Sequence, residues 1–155
     1  MANIQLVVFA LDNQEYGIDA SSVNGILRSK KFKIEFLPGM PKEIAGMINL
    51  RGQIKFIYNL RMKFGFAEKA LSDESKFIML NVNDSVCGWI VDEVTDIVRI
   101  DDAELQNAPA FITGVNNSYI KGIGKVDDRL IVILDPERIL SIEDVESIES
   151  AAVVK

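Results

Sequence analysis

The chain has no histidine. That removes the commonest general base and metal ligand, and the base of a Ser-His-Asp or Cys-His arrangement. It has one cysteine, Cys87, so no intramolecular disulfide can form. Cys87 precedes Gly88 and Trp89 in an apolar run and reads as a small buried hydrophobe rather than a nucleophile. No apolar run approaches the ~20 residues that span a bilayer. Residues 2–9 alternate like a strand and lack a basic n-region, so no signal peptide is expected. Cations are also in short supply: 17 Lys and Arg against 23 Asp and Glu give a net charge of −6. Nucleic acid, whose phosphates need clustered cations, is therefore not an expected partner. These features together suggest a cytoplasmic protein.

Other catalytic signatures are missing too. Asp92-Glu93, Asp101-Asp102 and Asp127-Asp128 are adjacent carboxylates, and neighbours on a strand point to opposite faces, so neither member of a pair can reach its partner's site. Gly122-Ile123-Gly124 lies in a hairpin pattern with no following helix, unlike a phosphate loop. No enzyme activity, metal or cofactor is expected.

The chain does carry a repeated pattern. Between Glu43 and Gly65, two apolar runs flank Arg51-Gly52-Gln53, which reads as a β-hairpin. Sliding the chain by 76 residues puts Ile120 on Ile44, Gly122 on Gly46, Val126 on Leu50 and Leu130 on Ile54. Upstream, a slide of 71 puts Phe77-Ile78-Met79-Leu80 on Leu6-Val7-Val8-Phe9, Gly88 on Gly17, and Val94 to Arg99 on Val23 to Arg28. Nearly the whole chain is thus two diverged copies of one unit, 3–70 and 75–140, and a repeat fixes architecture before anything else does. A chain of 155 residues can bury about two-thirds of its unfolded surface. Half of it alone would be marginal, so the halves are expected to depend on each other.

Short strands at close spacing with little helix predict an all-β fold of two small barrels, about five strands each, within one domain over 1–155. Ser21 or Ser22 is expected to cap a short helix through Leu27, with Val23, Ile26 and Leu27 on one face. Val94, Ile97 and Val98 repeat that face, in a run that can also continue as a strand into Ile100. Phe32, Ile34 and Phe36 alternate as a half-buried strand. Arg61–Phe64 reads as a helical turn ended by Gly65, 67–75 as a helix-compatible linker, Pro136–Leu140 as a short helix, and 141–155 as a C-terminal helix and tail. The two apolar faces either line a crease between barrels or belong to the core. Arg51 is either a solvated turn residue or an arginine held by a carboxylate and presented to a partner. The basic run Arg28 to Lys33 reads as a solvated loop and edge. Two functions follow from such a surface: an adaptor, or a small-ligand-binding or catalytic β-protein using the crease as a pocket.

The segment GMINLRGQIKFIYNLRMKFG resembles the signature of the CheW family, the bacterial chemotaxis coupling proteins. Gly46-Met47-Ile48-Asn49-Leu50-Arg51-Gly52 matches that family's G-[VM]-[IV]-N-L-R-G stretch at every position, and Leu60-Arg61 matches its tail. Glu15 to Asp19, Ile90 to Val94 and Gly122 to Leu140 look like further family blocks. The resemblance implies two five-stranded SH3-like β-barrels and a non-catalytic adaptor. Its partners would be the cytoplasmic tip of chemoreceptors (methyl-accepting chemotaxis proteins) and the regulatory domain of the histidine kinase CheA. The adaptor would join the membrane only through receptor arrays. Carried over by position, receptor contacts would be Val23, Gly46, Arg51, Gly52 and Val98. Kinase contacts would be Ile26, Ile34 and Phe36. The chain departs from the pattern at Gly25, where the family often has an acidic residue able to pair with the arginine, and at Asn59, where Asp is usual.

Overall fold

The computed structural model describes residues 3–36, 38–41, 43–82, 85–106 and 119–139. The first strand shows how the layers arise. In β1 (Asn3–Leu11), Leu6 and Val8 face one way and Val7, Phe9 and Leu11 the other, and all five are buried. A strand apolar on both faces must lie between two cores. The remaining strands are β2 (Gln14–Asp19), β3 (Val23–Arg28), β4 (Ile44–Leu50), β5 (Gln53–Asn59), β6 (Lys76–Val82), β7 (Ser85–Val91), β8 (Glu93–Asp101), β9 (Leu105–Gln106), β10 (Ile120–Val126) and β11 (Arg129–Leu134). Two short helices, α1 (Leu60–Phe64) and α2 (Pro136–Ile139), follow β5 and β11.

The strands form two sheets, in the orders β8-β1-β2-β11-β10-β9 and β3-β6-β7-β5-β4. Sheet membership departs from the expected division into a 3–70 barrel and a 75–140 barrel. Each sheet takes its first hairpin from one repeat and its other strands from the other. The repeat itself is visible in the register. Gly25 sits opposite Met79 and Asp96 opposite Val8, each just past a bulge. Gly46 opposes Ile57 and Gly122 opposes Ile133, again past a bulge. The parallel pairs Ile57–Gly88 and Ile133–Gly17 correspond as well. Even the isolated bridge Glu35–Met47 has its counterpart in Gln106–Ile123. Offsets of 71 and 76 account for all of them, so the two SH3-like barrels are copies that have exchanged hairpins.

Three apolar clusters result. One fills the barrel built on β1 and β11, with Leu6, Val8, Ile100, Ile131 and Ile133. A second fills the other barrel, with Ile48, Ile57, Phe77 and Met79. The third joins the sheets: Val7, Phe9, Leu11, Tyr16 and Ile18 meet Phe56, Tyr58, Ile78, Leu80, Trp89 and Val91. Each large side chain fully buried there contributes about 1.5–3 kcal/mol, so the barrels stabilise each other. Gly17 and Gly88 face the two barrel interiors. A Cβ on Gly88 would lie 2.8 Å from both Ile57 Cδ1 and Met79 Sδ, and one on Gly17 3.0 Å from Ile131 Cγ2.

Cys87 is buried in the joining cluster, and burial pushes its thiol up to about 12. The thiolate is the reactive form. Ellman's reagent is expected to leave Cys87 unmodified in the native protein and to titrate one thiol after unfolding in guanidinium. Rapid modification without denaturant would contradict this burial.

Several local expectations are corrected. No helix runs from Ser21 to Leu27: a 3-10 turn over Ala20–Ser22 is capped by Asp19, whose carboxylate accepts from Ser21 N, and β3 follows. Val23, Ile26 and Leu27 therefore do not share a face. Val23 packs on the joining cluster, Leu27 on the second barrel's core, and Ile26 is 40% exposed. Likewise Val94, Ile97 and Val98 lie on β8; Val94 packs on the joining cluster, Val98 on the first barrel's core, and Ile97 is 55% exposed. The expected strand at Phe32–Phe36 reduces to the single bridge at Glu35. Residues 67–75 contain no helix, only a turn in which Ser75 N donates to Ser72 O. The turn at 61–64 is as expected: Asn59 Oδ1 accepts from Met62 N, and Gly65 closes α1 at φ 79°. The expected helix at 141–155 lies outside the described residues.

Candidate functional site

The hairpin of β4 and β5 turns on two residues, Arg51 (φ 54°) and Gly52 (φ 85°). Two successive positive φ values make the tight turn whose twist matches that of its strands. Asn49 Oδ1 accepts from Gly52 N at 2.8 Å and holds the turn. Arg51 is exposed and makes no hydrogen bond or ion pair with the described residues. Among the described residues no carboxylate holds it. Five residues back, Gly46 is buried at the bulge with φ 150°, and the segment 34–35 lies directly on it. Glu35 and Met47 exchange two backbone hydrogen bonds of 2.8 Å there.

The remaining residues carried over by resemblance are dispersed. Val23 is half-buried on β3, the edge of its sheet opposite β4. Val98 belongs to the other barrel. Ile34 packs inward on the second barrel's core, whereas Phe36 is 74% exposed. The exposed apolar side chains on strands occur in repeat-related pairs: Ile26 with Ile97, and Ile54 with Leu130.

Two ionic clusters are not evident from the sequence. The first ties the barrels together. Arg61, 8% exposed in α1, donates Nε to Asp92 Oδ1 at 3.1 Å and Nη2 to Asp92 Oδ2 at 2.6 Å. Its Nη1 donates to Ala67 O at 2.9 Å and lies 3.5 Å from Asp12 Oδ1. Asp92 also accepts from Asp12 N at 2.9 Å, and its own N–H donates to Ala10 O. Burial alone would push the Asp92 carboxyl up. The Arg61 hydrogen bonds, the Asp12 N–H and the charges of Arg61 and Lys69 outweigh burial and hold it below 3.8. A cavity lined by Ile34, Asn59, Arg61, Lys69, Ile90 and Asp92 adjoins this cluster, but its arginine and aspartate already pair with each other.

The second cluster sits at one end of the first barrel's core. Arg129 donates Nε and Nη2 to Glu15 at 2.9 and 2.7 Å, and Nη1 to Asp96 Oδ2 at 3.0 Å. Thr95 Oγ1 joins Glu15 at 3.3 Å. The Arg129 hydrogen bonds, working against burial, hold the Glu15 carboxyl below its ordinary value.

Two SH3-like barrels sharing strands by exchange, with an exposed arginine at one hairpin tip, define the class: a duplicated double-barrel β-protein. The family model described as "CheW-like domain" matches residues 5–144, and this chain belongs to that family. It is 33% identical over 147 residues to "Chemotaxis protein CheW" of Bacillus subtilis (strain 168), covering 95% of this chain and 91% of the relative. It is 30% identical over 148 residues to the protein of the same name from Klebsiella aerogenes, covering 96% and 88%. Among solved structures, scaffolding protein TtCheW from Thermoanaerobacter tengcongensis superposes with a TM-score of 0.83 at 29% identity, over 92% of this chain and 96% of that one. No helix among the described residues is long and apolar enough to cross a membrane.

Proposed function

We propose that this chain is a non-catalytic chemotaxis scaffold of the cytoplasm, which couples the cytoplasmic tip of transmembrane chemoreceptors to the regulatory domain of the kinase CheA. The observation that carries this reading is the near full-length match, at 33% identity, to a relative named as a chemotaxis protein. The receptor side comprises Val23, Gly46, Arg51, Gly52 and Val98, and the kinase side Ile26, Ile34 and Phe36. The geometry supports distinct roles within each set. Arg51 is free to bind, and Gly52 shapes the turn that presents it. Gly46 acts through the packing beneath that hairpin. Ile26 and Phe36 are open to a partner, and Ile34 anchors the segment that carries Phe36. The ligand-pocket alternative has no such support, and in the cavity beside the Arg61 cluster the arginine and aspartate pair with each other.

Guanidinium offers five donors in a fixed fork, and Arg51 has all of them unused within the described chain. Arg51→Ala is expected to leave unfolding free energy within about 0.5 kcal/mol of wild type. It should weaken binding to a chemoreceptor cytoplasmic fragment by about 1–2 kcal/mol. Calorimetric titration beside a thermal melt measures both. Unchanged affinity would remove Arg51 from the receptor side.

A further inference from the structure

Asn24-Gly25 is the one Asn-Gly pair in the chain, and it lies where the second barrel's ladder is interrupted. Among the described residues β3 pairs with β6 on one side and with no strand on the other. Val23 opposes Leu80 and Gly25 opposes Met79, so Asn24 is the extra residue of the bulge and has no partner across the ladder. Its side chain is exposed and makes no hydrogen bond or ion pair among the described residues. Asn49 and Asn59 differ: their Oδ1 atoms accept from Gly52 N and Met62 N, and a leucine follows each.

We infer that Asn24 is a site of deamidation by water in the folded protein, a slow covalent switch at the edge of the second barrel. Base removes the proton from Gly25 N, and that nitrogen attacks Asn24 Cγ. A new N–Cγ bond closes a succinimide ring as the Cγ–Nδ2 bond breaks, and Nδ2 leaves as ammonia. Water then opens the ring. Cleavage of the new N–Cγ bond leaves aspartate. Cleavage of the original peptide bond leaves isoaspartate, whose main chain runs through Cβ and Cγ. No step needs an oxidant or a reductant. A side chain on the following residue would shield the attacking nitrogen, and glycine has none. The bulge matters because ring closure requires Asn24 and Gly25 to leave the extended conformation. An unpaired residue on an edge strand does so by local opening, without unfolding the barrel.

Either product adds a carboxylate, and so one negative charge, to β3. The isoaspartate also lengthens the main chain by one carbon just before Ile26 and Leu27, which pair with Ile78 and Phe77. Leu27 packs on the second barrel's core, so the modification is felt inside that barrel as well as at its edge.

The test incubates the full chain at mildly alkaline pH and physiological temperature and follows its peptides by mass spectrometry, with the site read by fragmentation. Asn24 is expected to convert from the amide to the acid mass, while Asn49 and Asn59 stay as amides. The native rate should be no more than about thirtyfold below that of the same chain unfolded in guanidinium, the factor for a local opening of about 2 kcal/mol. Access through global unfolding would slow the reaction by about a thousandfold or more. Gly25→Ala has room for its Cβ, with nothing within 4 Å, and no positive φ to strain it. That variant should melt as wild type does and deamidate more slowly by about tenfold or more. No acid form at Asn24, a native rate below the thirtyfold limit, or a smaller effect of Gly25→Ala would each overturn the inference. If Gly25→Ala does not fold, the native and unfolded rates of the wild type decide alone.

Discussion

Arg61→Ala is expected to lower the stability of the protein by about 3 kcal/mol, the order seen when one member of a buried ion pair is removed. The residue belongs to the second sheet's side of the chain, following β5 in α1. Asp92 links β7 to β8, and Asp12 sits at the β1–β2 turn. Truncation leaves the Asp92 carboxylate, 16% exposed, with one backbone donor and a lysine 3.8 Å away among the described residues. It also frees Ala67 O. The effect should depend on pH in a definite direction. With its folded-state pKa depressed, Asp92 stabilises the wild type above its unfolded value of about 3.9, and that contribution fades as pH falls through the lower folded value. In Arg61→Ala the buried carboxyl keeps its desolvation penalty without its main partner, so protonation relieves the variant. The gap in urea midpoints between the two proteins should be full at pH 7 and shrink below about pH 4. A gap independent of pH would mean that the loss comes from α1 packing rather than from the ion pair.

Gly46→Ala should be at least as damaging, at about 3–5 kcal/mol. An added Cβ would stand 2.3 Å from Glu35 O and 2.6 Å from Ile34 Cγ2, on a backbone with φ 150°. The first of these is a main-chain atom held by hydrogen bonds to Met47, so it cannot swing aside. Gly52→Ala is the control. It shares a positive φ but has nothing within 4 Å, so only backbone strain of about 1 kcal/mol is expected. Denaturant unfolding of both variants checks the order. A Gly46→Ala protein as stable as Gly52→Ala would show that the 34–35 segment does not need its close approach. Any loss of partner binding in Gly46→Ala would then act through displacement of the segment bearing Phe36.

The repeat was legible because glycines at Gly17, Gly46, Gly88 and Gly122 answer to contacts too close for a Cβ, and so recur with the apolar positions. The exchange of hairpins was not legible. β3 and β8 alternate alike, and nothing local distinguishes pairing with one copy's first strand from pairing with the other's. The misread helix at Val23 has a specific cause. The bulge between Val23 and Gly25 inserts a residue, breaks the period of two, and leaves apolar residues at spacings of three and four. At the site, a positive-φ turn at Arg51-Gly52 follows from the hairpin spacing. The lack of a carboxylate beside it among the described residues does not, because that depends on which strand ends meet. The Arg61–Asp92 and Arg129–Glu15–Asp96 clusters join residues 31 to 114 positions apart and leave no pattern in the chain.

The exchanged hairpins carry a consequence for ancestry and assembly. Two identical chains, each lending its first hairpin to the other, would give the same pair of barrels as an intertwined homodimer. In this protein, residues 66–75 connect what would be separate subunits. Covalent connection replaces a concentration-dependent encounter with an intramolecular one, at an effective concentration set by the length of that segment. Once the copies were joined, symmetry no longer bound them. One barrel could keep Asp96 and Arg129 while the other drifted to Gly25 and Gln53, a divergence that no symmetric dimer can make in one half alone.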